Sequence, residues 1–219
     1  MTKQVRYIFL ASAILSLAYF IIPSVYSKPL PIWSLALLAY TTRNAYSSAI
    51  CSGLIFSSLG DIVLQLDHVY PNAGLFIIGL AAFLIAHILY IRAFSTCELS
   101  FKHTPIVLIP VTAYSMAIMT VLLPRIETGL IIPVLLYGFA ISIMLFLSLI
   151  RFLSKKSGSL KSRTCALIGS LVFVLSDSIL AINKFAAPVP NAHFFIMLTY
   201  YFGQTYIAAS TVQSIVKND

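Results

Sequence analysis

Long apolar runs recur from one end of this chain to the other, and they leave it few ways to fold. With 60% hydrophobic and 9% charged residues among 219, and a mean hydropathy of +0.98, almost no segment can present a solvated polar face. Inside hydrocarbon every backbone N–H and C=O must be paired within the segment or a closed barrel. The runs are continuous rather than alternating, which excludes the ten-residue strand pattern of a membrane barrel. The expected fold is therefore an all-α integral membrane protein, one domain over 1–219.

Breaks at charged, Pro, Asn and Gly residues divide the chain into eight apolar segments, near 7–23, 30–42, 44–65, 73–94, 105–123, 129–150, 164–182 and 194–215. The second is short, so a tilted, re-entrant or continuous run into the third is open to it. The first resembles a secretory leader but lacks a small-x-small cleavage site and reads as a retained span.

The net charge of +8 would suggest nucleic acid in a soluble protein. Here topology accounts for it, and no nucleic-acid partner is expected. With eight crossings, Lys3, Arg6, Arg43, Arg92, Lys102, Arg151, Lys155, Lys156, Lys161, Arg163 and Lys217 share one side, against Lys28, Arg125 and Lys184 on the other. That bias places both termini in the cytoplasm, with "RFLSKKSGSLKSR" as the main cytoplasmic loop. Cys51, Cys97 and Cys165 have no CxxC spacing and read as small buried hydrophobes.

A shift of 116 residues lays "GLIFSSLGDIVL" (53–64) on "GSLVFVLSDSIL" (169–180), matching Gly53 with Gly169 and Asp61 with Asp177. This implies two parallel halves, roughly 1–98 and 99–219, with both aspartates at similar depth. Asp177 lies 14 residues beyond Arg163, roughly 21 Å at 1.5 Å per residue. A carboxylate at such depth costs about 2.5–3.5 kcal/mol on insertion scales, so it faces the bundle interior or a wet cavity. Either the two are structural polar contacts or they are the working groups of a site.

Other polar residues fall at helical spacing. Ser57 and Ser58 precede Asp61, His87 and Tyr90 share a face of the fourth segment, and Tyr200, Tyr201 and Gln204 share one of the eighth. A straight helix places His87 close to Arg92 and below the aspartates. Lys28 and Lys184 stand at the opposite end, as snorkelling cations or as a seat for an anionic head group. Asp67, Glu98, Glu127 and Asp219, with His68, His103 and His193, read as loop or tail residues. No HxxxH or HExxH pair and no GxSxG elbow occurs, which argues against a zinc hydrolase or a serine lipase.

Taken in order, Lys28-Pro29, "GLIFSSLGDIVL", "GLAAFLIAHILY", "SDSILAINKF" and "LTYYFGQTYIA" resemble the lysoplasmalogenase, or YhhN-like, family of multi-span membrane proteins. The likeness covers most of 28–94 and 165–209, and both Asp positions agree with it. It implies a lysophospholipid substrate carrying a vinyl ether, with membrane lipids around it, cleaved to a fatty aldehyde and a glycerophospho-alcohol. Protonating an enol ether on carbon yields an oxocarbenium ion that water captures, chemistry that two carboxyls can run without metal or organic cofactor. On that likeness Asp61 and Asp177 are the acid/base pair, in an order left open. Lys28 and Lys184 are candidates for the phosphate. Asn183, Tyr200, Tyr201, Gln204, His87, Tyr90 and Ser57 are candidates to order water or line the chain cavity. The rival reading is a proton-coupled transporter using the same carboxyls, and a lipid-binding protein is a third.

Overall fold

The computed structural model describes residues 3–70 and 73–212, which form eight α-helices. They are α1 (Lys3–Ile21), α2 (Leu30–Thr41), α3 (Ala45–Val69), α4 (Ala73–Ser95), α5 (Thr104–Leu122), α6 (Thr128–Leu153), α7 (Leu160–Ala181) and α8 (Ala192–Val212). Each of the eight apolar segments is a helix. Six of them, α1 and α3 to α7, are long and apolar enough to cross a bilayer. The protein is an integral multi-pass membrane protein.

The surface confirms the environment. Leu10, Ile14 and Leu17 on α1, Ile106 and Ile109 on α5, and Ile132 and Phe139 on α6 are all exposed, while Ser57, Asp61, His87 and Gln204 are buried. This inside-out distribution is stable only where hydrocarbon replaces water outside the bundle.

At 12 residues, α2 is roughly 18 Å long, short of the ~30 Å hydrocarbon core. It does not run into α3. Arg43 takes a left-handed backbone (φ 48°), and Asn44 then caps α3, accepting from the Ser47 amide at 2.8 Å while its own amide donates to Ser47 Oγ. Ile32, Leu35 and Leu38 bury α2 against its neighbours.

The two largest helix interfaces are α3 with α4 and α7 with α8. At the second the backbones approach closely. A Cβ on Gly169 would stand 2.7 Å from the Ile207 backbone nitrogen and 2.8 Å from the Gly203 carbonyl oxygen. Small residues at a membrane helix contact let backbones approach where no hydrophobic force between helices assists. By contrast α1 and α5 bury few side chains and lie at the periphery.

Three expectations about charges change. Arg151 and Arg163 do not belong to a free cytoplasmic loop: they end α6 and begin α7, and both are buried. The Arg151 guanidinium donates to Cys97 Sγ and to Ser162, and stacks 4.6 Å above the Tyr46 ring. Asp67 and His68 lie in the last turns of α3 and His193 in the first turn of α8, where it meets Tyr19 Oη at 3.0 Å. Lys217 and Asp219 lie outside the described residues.

Candidate active site

Five helices bring polar side chains to the middle of the bundle. Asp61 on α3 lies eight residues before Val69, and Asp177 on α7 lies nine before Ala186, counting the single π turn Ile182–Ala186 that extends α7. Both are thus roughly 12–14 Å from the end of the bundle that carries Lys28. They line one enclosed cavity of ≈ 40 Å³ together with Lys28, Tyr137 and Tyr200. That volume accommodates a water or two.

Each carboxyl has its own tyrosine. Tyr200 Oη on α8 donates to Asp61 Oδ2 at 2.6 Å, and Tyr137 Oη on α6 donates to Asp177 Oδ2. Beyond that their surroundings differ. Lys28 Nζ approaches Asp61 Oδ1 to 4.0 Å, with its side chain 10% exposed. Burial pushes the Lys28 ammonium down from its ordinary value, and the Asp61 charge opposes that. Lys28 is held by its backbone, since Tyr201 Oη donates to its carbonyl at 2.9 Å.

Asp177 faces His87 instead, with Nε2 3.9 Å from Oδ2. The straight-helix reading that set His87 below the aspartates considered Cα heights alone. Side chains lean toward the N-terminus of their helix. Since α4 starts at the Lys28 end and α7 at the other, His87 and Asp177 lean toward each other. The ring is enclosed by Tyr137 and Phe173, with centroids 5.0 and 5.1 Å away. His87 Nδ1 donates to the Phe83 carbonyl at 2.6 Å, and the buried Nε2 makes no hydrogen bond.

One helical turn away from the carboxyls is a second polar layer. Tyr90 Oη donates to Gln204 Oε1 at 2.8 Å and meets Ser57 Oγ at 3.3 Å. The Gln204 amide nitrogen is buried without a partner. These residues, candidates to order water or line the chain cavity, are absent from the walls of the cavity between the carboxyls.

Two candidates stand elsewhere. Asn183 Oδ1 accepts from the Val189 amide at 3.0 Å, which orders the turn after α7. Lys184 is 3.4 Å from Asp67 Oδ2 and lies 4.7 Å over the Phe76 ring. Asp67 is therefore no solvated loop charge; its side chain is 11% exposed. Tyr137 escaped sequence reading altogether. Its one signal was a hydroxyl in the otherwise apolar "LLYGFA" of α6.

The YhhN family model matches residues 24–211. The chain is 34% identical over 191 residues to lysoplasmalogenase TMEM86B from Homo sapiens, covering 86% of this chain and 75% of that protein. It is 35% identical to the Sus scrofa TMEM86B, covering 85% and 74%. With human lysoplasmalogenase TMEM86A it shares 29% identity, covering 85% and 77%. No solved structure matches significantly.

Proposed function

Because the chain belongs to the YhhN family and resembles proteins named lysoplasmalogenases along most of its length, we propose that it is a lysoplasmalogen hydrolase. It cleaves the vinyl ether to a fatty aldehyde and glycerophosphoethanolamine or glycerophosphocholine. The observation that carries this reading is the pair of carboxyls, each with a tyrosine donor, lining one water-sized cavity.

A protonated carboxyl transfers its proton to the alkenyl carbon β to oxygen. The C=C electron pair forms the new C–H bond, and the ether oxygen shares the resulting positive charge. The other carboxylate stabilises that charge and takes a proton from the water that adds to the α carbon. The hemiacetal then loses the glycerol oxygen, which leaves with that proton, while the hydroxyl proton returns to the first carboxylate. Tyr137 and Tyr200 fix the carboxyls' orientation, and Lys28 is placed to meet the phosphate. We assign both termini to the cytoplasmic side of the membrane on the charge bias of the connections.

Aldehyde release by purified protein in detergent tests the reading, with a lysoplasmalogen beside its saturated alkyl-ether analogue. Aldehyde from the vinyl ether alone, lost in Asp61→Asn and Asp177→Asn, is the expected result. Wild-type turnover in both folded variants overturns the assignment. Activity in detergent, where there are no two sides, also separates hydrolysis from transport.

A further inference from the structure

A lysoplasmalogen carries its fatty chain directly on the reacting double bond, so whatever reaches the carboxyls must bring that chain with it. The ≈ 40 Å³ cavity between them cannot hold it. Asp177 and Tyr137 also line a second, more open cavity of ≈ 70 Å³ between α5, α6 and α7. Ser115, Met119, Gly138 and Ser142 line both that cavity and a lateral groove of ≈ 600 Å³ between α5 and α6, and the Ser115–Ser142 hydrogen bond at 2.7 Å lies in the wall the two share. Leu108, Val111, Leu136, Phe139 and Phe146 make this groove almost wholly apolar. Asp177 is correspondingly the more accessible carboxyl, with 15% of its side chain exposed against 4% for Asp61.

We propose that the α5–α6 groove is the seat of the substrate's alkenyl chain, a reading that rests on the lysoplasmalogen hydrolysis proposed for this site. The order of parts along the bundle fits a single-chain lipid. Lys28 stands at one end, the carboxyls lie roughly 12–14 Å in, and the groove runs on from Met119 to Leu108, roughly 16 Å along α5. Head group, ether and chain follow in that sequence.

The placement divides the labour of the carboxyls. Asp177 stands in the cavity that adjoins the chain's groove, on the side of the alkenyl carbon that bears the chain, and that carbon takes the proton. Asp61 stands on the Lys28 side, beside the carbon bonded to oxygen, where water adds. Asp177 is then the general acid and Asp61 the general base. The Lys28 ammonium beside Asp61 suits a group that works ionised.

The test is a chain-length series of 1-alkenyl lysophospholipids, from four to eighteen carbons, scored as the variant-to-wild-type ratio of kcat/KM at each length. Ser142→Phe blocks the junction, where Ser142 Oγ meets Ser115 Oγ at 2.7 Å. Leu108→Trp blocks the far end of the groove. Ser142→Phe is expected to lower the ratio for sixteen carbons at least tenfold further than the ratio for four. Leu108→Trp is expected to affect only the longest chains. Ratios that are flat across the series in both variants overturn the inference. If wild-type protein releases no aldehyde at any length, the parent reading fails, and the inference with it.

Discussion

His87 Nε2 stands 3.9 Å from Asp177 Oδ2 while Nδ1 is committed to the Phe83 carbonyl at 2.6 Å. A carbonyl accepts only, so Nδ1 carries a proton and a neutral ring turns the Nε2 lone pair toward the carboxyl. We take His87 to position the Asp177 proton through a bridging water, since 3.9 Å exceeds hydrogen-bond reach. His87→Leu keeps the ring's apolar neighbours and removes that acceptor. It should lower kcat by about tenfold to a hundredfold with KM little changed, at or below the ~10²–10⁴-fold typical of a group that itself transfers the proton. Steady-state kinetics alongside thermal unfolding checks this; an equal loss of kcat and folded protein would mark a packing role.

Loss of the acid and loss of the base should differ with pH. Vinyl ethers accept a proton from hydronium as well as from a carboxyl, so the residual activity of Asp177→Asn should rise as pH falls. In Asp61→Asn the acid is intact and the missing function is a proton acceptor, so acid should not restore it. A pH series of kcat for both variants decides; the opposite pattern would exchange the two roles.

Lys28 predicts head-group discrimination. Its ammonium is 4.0 Å from Asp61 and almost enclosed. Lys28→Met should raise KM at least several-fold for a lysophospholipid but leave KM for a 1-alkenylglycerol, which has no phosphate, nearly unchanged. Equal effects on the two substrates would confine Lys28 to a structural partnership with Asp61.

Stability should divide sharply between two glycines. At Gly169 an added methyl meets the backbone of α8, which cannot yield, so Gly169→Ala should cost about 1–3 kcal/mol of stability by overpacking. At Gly129 nothing lies within 4 Å of the same methyl. Thermal unfolding in detergent should place Gly129→Ala at or above wild type and Gly169→Ala clearly below. Comparable midpoints would show that the α7–α8 contact is looser than described.

By itself the sequence determined the environment, and with it the helices. Apolar runs in hydrocarbon must satisfy their own backbone, so eight helices could be read with ends displaced by only a few residues. Asp61 and Asp177 were legible for the same reason, since a carboxylate in a span is costly wherever the neighbouring helices stand. Which side chains meet was not legible, because it depends on helix rotation and on the direction of each chain. Tyr137 reaches Asp177 across 40 residues, and Tyr200 reaches Asp61 across 139. His87 approaches Asp177 because antiparallel helices lean their side chains toward one another. Lys184 meets Asp67, and Asn183 the Val189 backbone, from within the π turn that extends α7. Helix formation is a local property of the chain in its solvent; the order of the carboxyls, their donors and the groove beside Asp177 are properties of the packed bundle.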